Sequence, residues 1–120
     1  ANAILVAGKA HPRPYALCTV LATCKLDVNG VVRKRLGTRK ASFADSSETT
    51  ELTGMLIGGV TPFGLPTSVS TWVDARVMER ASVVIGGGSR DRKIRLPPRG
   101  LLALPGAEVV MDLAKAPIVS

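Results

Sequence analysis

Apolar residues along this chain fall in short runs, separated by glycines, prolines and charged clusters, so the pattern predicts many brief elements. Ala3 to Ala7 reads as a buried strand. Gly8 to Pro14, broken by Pro12 and Pro14, is a turn. Tyr15 to Lys25 reads as a second strand whose near-continuous apolar character predicts burial on both faces. Asp27 suits an N-cap for a short helix from Val28 to Leu36, closed by Gly37. Val31, Val32 and Leu36 would face the core there, with Arg33, Lys34 and Arg35 mostly outward, while the interior Gly30 weakens the helix. Lys40 to Ala44 is a short strand. Asp45, Ser46 and Ser47 offer caps for a helix through Leu52 that Gly54 ends. Thr71 to Ala75, Ser82 to Ile85 and Ile94 to Leu96 are further strands. Pro97 would open a helix as an N1 proline, with Leu101, Leu102 and Leu104 inward and Pro105 and Gly106 ending it. Glu108 to Met111 is a last strand. Together these predict an α+β fold, a single compact domain of mixed, barrel-like sheet with a few short helices.

The length of 120 residues suits one domain, and 46% hydrophobic residues suffice for one core. With aromatics at only 3%, that core must come from Val, Leu, Ile and Ala. No apolar run approaches the ~20 residues of a bilayer span, and Ala3 to Ala7 is too short for a signal peptide. The expected setting is therefore cytoplasmic, with no membrane partner. Cys18 and Cys24 lack the spacing of a CxxC pair. In one strand they would stand roughly 20 Å apart at ~3.3 Å per residue, too far for a disulfide, so reduced core thiols are expected.

The net charge of +7 changes the picture, because it favours a polyanionic partner, nucleic acid first. One basic cluster is Arg33, Lys34, Arg35, Arg39 and Lys40; another is Arg90, Arg92, Lys93 and Arg95. Either could also be a solvated face. With so few aromatics, base-stacking platforms are not expected, and RNA contacts should fall on phosphates.

Candidate chemistry centres on Gly58-Gly59-Val60-Thr61-Pro62-Phe63-Gly64, directly after Met55, Leu56 and Ile57. Such a stretch is a side-chain-poor wall that suits a small ligand held by backbone groups, or else a tight turn. Gly86-Gly87-Gly88 is a second glycine-rich loop, without the GxGxxG spacing of a dinucleotide site. A Ser-His-Asp or Cys-His unit would depend on His11, the single histidine, in a proline-rich turn. No zinc spacing and no Walker loop is present. Asp74, within an apolar run, lies either at a solvated strand end or held by donors in a cleft.

Leu26-Asp27-Val28, Arg35-Leu36-Gly37, Arg39 to Ala44, Glu51-Leu52-Thr53-Gly54, Gly58 to Gly64, Val73-Asp74 and Gly86 to Gly88, in this order and spacing, resemble the YbaK/EbsC family. These are aminoacyl-tRNA deacylases related to the editing domain of prolyl-tRNA synthetase. The resemblance runs from Ala1 to about Leu113. It implies an editing domain over residues 1–120 that lacks the family's leading helix and strand. It also implies hydrolysis, in trans, of the ester linking a wrong amino acid to tRNA, without metal or other cofactor. The obvious substrates are alanine or cysteine on the proline tRNA. The implied partners are the tRNA acceptor end and prolyl-tRNA synthetase. Gly58, Gly59, Val60, Thr61, Pro62, Phe63 and Gly64, with Gly86, Gly87 and Gly88, would wall the aminoacyl pocket. Arg33, Lys34, Arg39 and Lys40 would attract the acceptor stem, and Asn2 and Asp74 would border the ester. Asn2 stands where family members usually carry a lysine important for deacylation, and it donates hydrogen bonds without charge. A relative that keeps tRNA or synthetase binding without hydrolysis is the alternative.

Overall fold

The computed structural model describes residues 1–10, 12–55, 61–63, 65, 69–87, 92–103 and 106–115. Its centre is a five-stranded sheet whose middle strand is β2, Tyr15–Val20. On one side β2 pairs antiparallel with β1, Asn2–Gly8, and β1 pairs antiparallel with β4, Ala41–Phe43. On the other side β2 runs parallel to β5, Val69–Asp74, and β5 parallel to β8, Ala107–Val110. The mixed sheet and α+β class are as the sequence predicts. Among the described residues the sheet stays open, with β4 and β8 as edges, where a barrel-like closure is expected.

Side chains alternate across the sheet. Val6, Ala16, Cys18, Val20, Trp72 and Val110 face one side, where they pack with Leu26, Val32, Leu113 and Ala114. Leu5, Leu17 and Val69 face the other, beneath Leu52, Met55 and Leu65. Beside them Val73 joins Val77, Val83, Ile85 and Leu101. β2 is thus buried on both faces, as its unbroken apolar run predicts. That run hides the end of the strand: the chain turns after Val20, and Lys25–Leu26 form a separate strand β3, paired with β9, Ala114–Lys115. The cysteines therefore do not share a strand. Both are free, Cys18 buried and Cys24 half-buried against the same cluster.

Burial pushes the Cys18 thiol from its ordinary 9.0 up to about 12, with Arg35 pulling weakly the other way. Below pH 9 both folded and unfolded chains keep this proton. Between pH 9 and 12 the unfolded thiol ionises first, so stability falls as pH rises, by up to ~1.4 kcal/mol per pH unit. A Cys18→Ala variant should start less stable and lose this thiol's share of the alkaline slope. Denaturation midpoints between pH 8 and 11 check it, and equal slopes for both proteins would refute it.

The helix after Asp27 opens with a π-wound turn, Val28–Val32, and continues as α1, Arg33–Leu36. Asp27 caps it by accepting from Gly30 N at 3.1 Å and Val31 N at 3.4 Å, and Gly37 ends it at φ 69°. The interior Gly30 now has a reason: a Cβ there would lie 2.4 Å from Asp27 Oδ2. Gly30→Ala should therefore destabilise the protein by about 1 kcal/mol or more, although alanine has the better helix propensity. A gain in thermal midpoint would contradict this. Arg35 is exposed, as expected, and at the surface its guanidinium lies 4.9 Å from the Trp72 ring centre and pairs with Glu108.

The second helix, α2, spans Ser46–Thr53 with Asp45 as cap, its carboxylate accepting from Glu48 N at 2.7 Å. Gly54 ends it at φ 72°. The strand expected to reach Ala75 stops at Asp74, and α3, Ala75–Met78, follows. Four residues are too short for helical periodicity to show. β6, Val83–Gly86, and β7, Lys93–Leu96, form a separate antiparallel ribbon. After Pro97 comes a 3-10 helix, Pro98–Ala103, in which Leu101 is buried but Leu102 is 42% exposed, against expectation. The 3-10 winding aligns every third residue, so adjacent leucines cannot both face the core. Leu104 lies outside the described residues.

Candidate active site

The pairing register places Asn2 opposite Val20, and Thr19 opposite Val73. Continued by one residue, it sets Asn2, Val20 and Asp74 in one row at one end of the sheet, on the Cys18 face. β2 stands between Asn2 and Asp74, so their Cα atoms are about 10 Å apart at ~4.8 Å per strand. The two do not touch. Asn2 is exposed.

Asp74 is 0% exposed, and neither carboxylate oxygen has a hydrogen-bond partner. It is therefore neither at a solvated strand end nor held by donors. Its neighbouring charge is Arg76, whose Nη1 lies 3.6 Å from Oδ2. Arg76 is itself fixed, donating to the Ala114 carbonyl at 2.6 Å and pairing with Asp112 at 3.3 Å. A cleft of ≈ 460 Å³ opens here, lined by Leu21, Thr23, Cys24, Arg76, Glu79 and Arg80. That is within the usual range for a small-ligand site, roughly 300–1,000 Å³.

The described part of the glycine- and proline-rich loop lies on the opposite face. Phe63 packs with the Val73 cluster and Leu65 with the Leu17 cluster, both on this face. Thr61 and Pro62 are buried. Facing this side is Thr19, in the row of Ala3 and Val73. Leu21 links the two sides, lining the cleft and also packing on the Phe63 cluster. Gly58, Gly59, Val60, Gly64 and Gly88 lie outside the described residues, as do His11 and Arg90. Gly86 ends β6, and Gly87 N donates to the Arg92 carbonyl at 2.9 Å.

Among the described residues, the buried side-chain oxygens without a hydrogen-bond partner belong to Thr19, Thr61 and Asp74. Buried polar groups are ordinarily paired, so each is a candidate for contact with a ligand or water; Thr19 and Asp74 stand near the same sheet end on opposite faces. Sequence reasoning missed Thr19. Its signal was a hydroxyl inside the otherwise apolar run Ala16 to Leu21. Of the basic residues, Arg33 and Lys40 approach a second groove at the far end of β1, while Lys34 and Arg39 are exposed. Among the described residues no group of three His, Cys, Asp or Glu side chains could hold a metal ion.

The geometry has close counterparts. A structure of the hypothetical protein APE2540 superposes with a TM-score of 0.81 at 26% identity, covering 94% of this chain and 72% of that one. A candidate trans-editing enzyme for prolyl-tRNA synthetase superposes at 0.79 with 29% identity, covering 97% and 69%. The uncharacterized protein YwhH of Bacillus subtilis (strain 168) is 34% identical over 76 residues, 63% of this chain. That aligned stretch spans about half, 48%, of YwhH. The model of the aminoacyl-tRNA editing domain matches residues 1–104. With the match extending over most of its length, the chain belongs to the aminoacyl-tRNA editing domain family.

Proposed function

We propose that this chain is a trans-acting deacylase that clears a small wrong amino acid, alanine or cysteine, from the proline tRNA in the cytoplasm. The observation that carries this reading is the buried Asp74 carboxylate, without a hydrogen-bond partner, next to the cleft lined by Leu21, Thr23, Cys24 and Arg76. An aminoacyl ester presents an ammonium group, a carbonyl and a ribose hydroxyl leaving group. Carboxylate and hydroxyl oxygens accept from the ammonium or from an attacking water. Water adds to the ester carbonyl carbon, the bond to the ribose oxygen breaks, and that oxygen leaves with a proton. Such esters are labile, so holding water and ester in line, with donors at the developing oxyanion, supplies much of the required rate. A narrow pocket would reject larger amino acids sterically.

The test is deacylation of Ala-tRNA(Pro) and Cys-tRNA(Pro) by the purified chain against a no-enzyme control. Turnover above background on either is the expected result. Asn2 favours a second reading, a binding relative without hydrolysis, because an uncharged amide stands at the family's usual lysine position. Silence in the assay with tRNA binding retained, and turnover restored by Asn2→Lys, would establish that reading instead.

A further inference from the structure

A second groove lies at the opposite end of β1, where Lys9, Arg13, Asn29, Lys40, Ala41 and Ser42 enclose ≈ 370 Å³. Lys9 N donates to the Lys40 carbonyl at 2.9 Å, so the backbone holds two lysines side by side where β1 meets β4. Both side chains are exposed, and among the described residues neither ammonium has an ion-pair partner. Thr38 Oγ1 donates to that same carbonyl at 2.9 Å and stiffens the corner. Arg13 is set by Glu48, with Nε 3.1 Å from Oε2. Arg33 adds a cation at the rim, its Nε donating to the Asn29 carbonyl at 2.8 Å. Four cations thus converge with one carboxylate, and the like charges of Lys9 and Lys40 are left unneutralised. The Asn29 amide and Ser42 hydroxyl add donors between them. Unpaired cations at fixed positions beside neutral donors are what a run of phosphates requires.

We infer that this groove binds the phosphate backbone of the RNA acceptor stem, several nucleotides from the ester. The inference rests on the editing reading for its ligand. Its geometry is separate, because Lys9 stands seven residues from Asn2 along β1, about 23 Å at ~3.3 Å per step. The stem therefore lies along β1, with its 3′ end at Asn2 and Asp74 and its body on the lysines.

The experiment measures binding of an uncharged acceptor-stem hairpin ending in CCA, at 50 to 300 mM salt, to wild type and to Lys9→Ala/Lys40→Ala. In parallel, both proteins are given that hairpin and the bare CCA trinucleotide, each esterified with alanine. Each lost phosphate contact should lower the magnitude of the salt slope by about 0.7–0.9, so the double variant should lose about 1.5 and bind roughly tenfold more weakly near 100 mM salt. Lys9→Arg/Lys40→Arg should retain the slope. Turnover of the trinucleotide ester should be the same in wild type and variant, with only the hairpin's KM raised. An unchanged slope in a folded double-alanine variant overturns the groove and leaves the editing reading standing. A reduced slope with no turnover of either ester by wild type supports the groove and removes the editing reading.

Discussion

Asp74→Asn is expected to lower turnover of the preferred mischarged tRNA by about 100-fold or more, with the fold intact. The magnitude is that of removing a group which positions a proton or a water in the transition state, roughly 10²–10⁴. The substitution keeps the shape and removes the charge. Asp74 makes no hydrogen bond that asparagine would break, and the attraction lost is to Arg76 Nη1 at 3.6 Å. Arg76 retains the Ala114 carbonyl and Asp112, so the chain termini of β5 and β9 stay joined. The two roles open to Asp74 separate kinetically. If it orients water, kcat falls and KM holds; if it receives the substrate ammonium, KM rises as well. A variant as active as wild type, or one losing activity only in step with unfolding, would show that the carboxylate is structural.

The largest effect on stability should come from Leu17→Ala, at about 2–5 kcal/mol. Leu17 is fully buried in β2, the central strand, between its neighbours Leu5 and Thr71. β1 and β5 hold β2 on both sides, so the backbone has little room to collapse into the space left behind. Against a total stability typically near 5–15 kcal/mol, this is a large fraction. Denaturant titration should show a lower midpoint with an unchanged slope. A loss under about 1 kcal/mol would mean that Leu17 is not packed as described.

Much of the local structure was legible because it rests on local chemistry. Asp27 and Asp45 cap the helices expected of them, and Gly37 and Gly54 end those helices with φ of 69° and 72°. Both signals act over a turn or so of chain, which is why a sequence reading reaches them. The double burial of β2 was visible in its unbroken apolar run. The break before β3 was not, since Leu21 and Ala22 continue that run while the turn comes from pairing with β9, about ninety residues later. Arg35 is exposed as its charge predicts, but its partners Trp72 and Glu108 come from other strands and no local pattern names them.

The site divides along the same line. Its residue types were plain in the chain: the glycine–proline stretch, a carboxylate after an apolar strand, an asparagine opening β1, and a basic surplus. Sequence by itself determined the α+β class, the helix caps and these chemical ingredients, because each depends on neighbours a few residues away. Tertiary structure alone decided that Asn2 and Asp74 share a row without touching, that Phe63, Leu65 and Thr19 lie on the opposite face, and that Lys9 joins Lys40 in a groove at the far end of β1. Those placements follow from strand register and sheet order, set by contacts between distant segments whose energies no local pattern encodes.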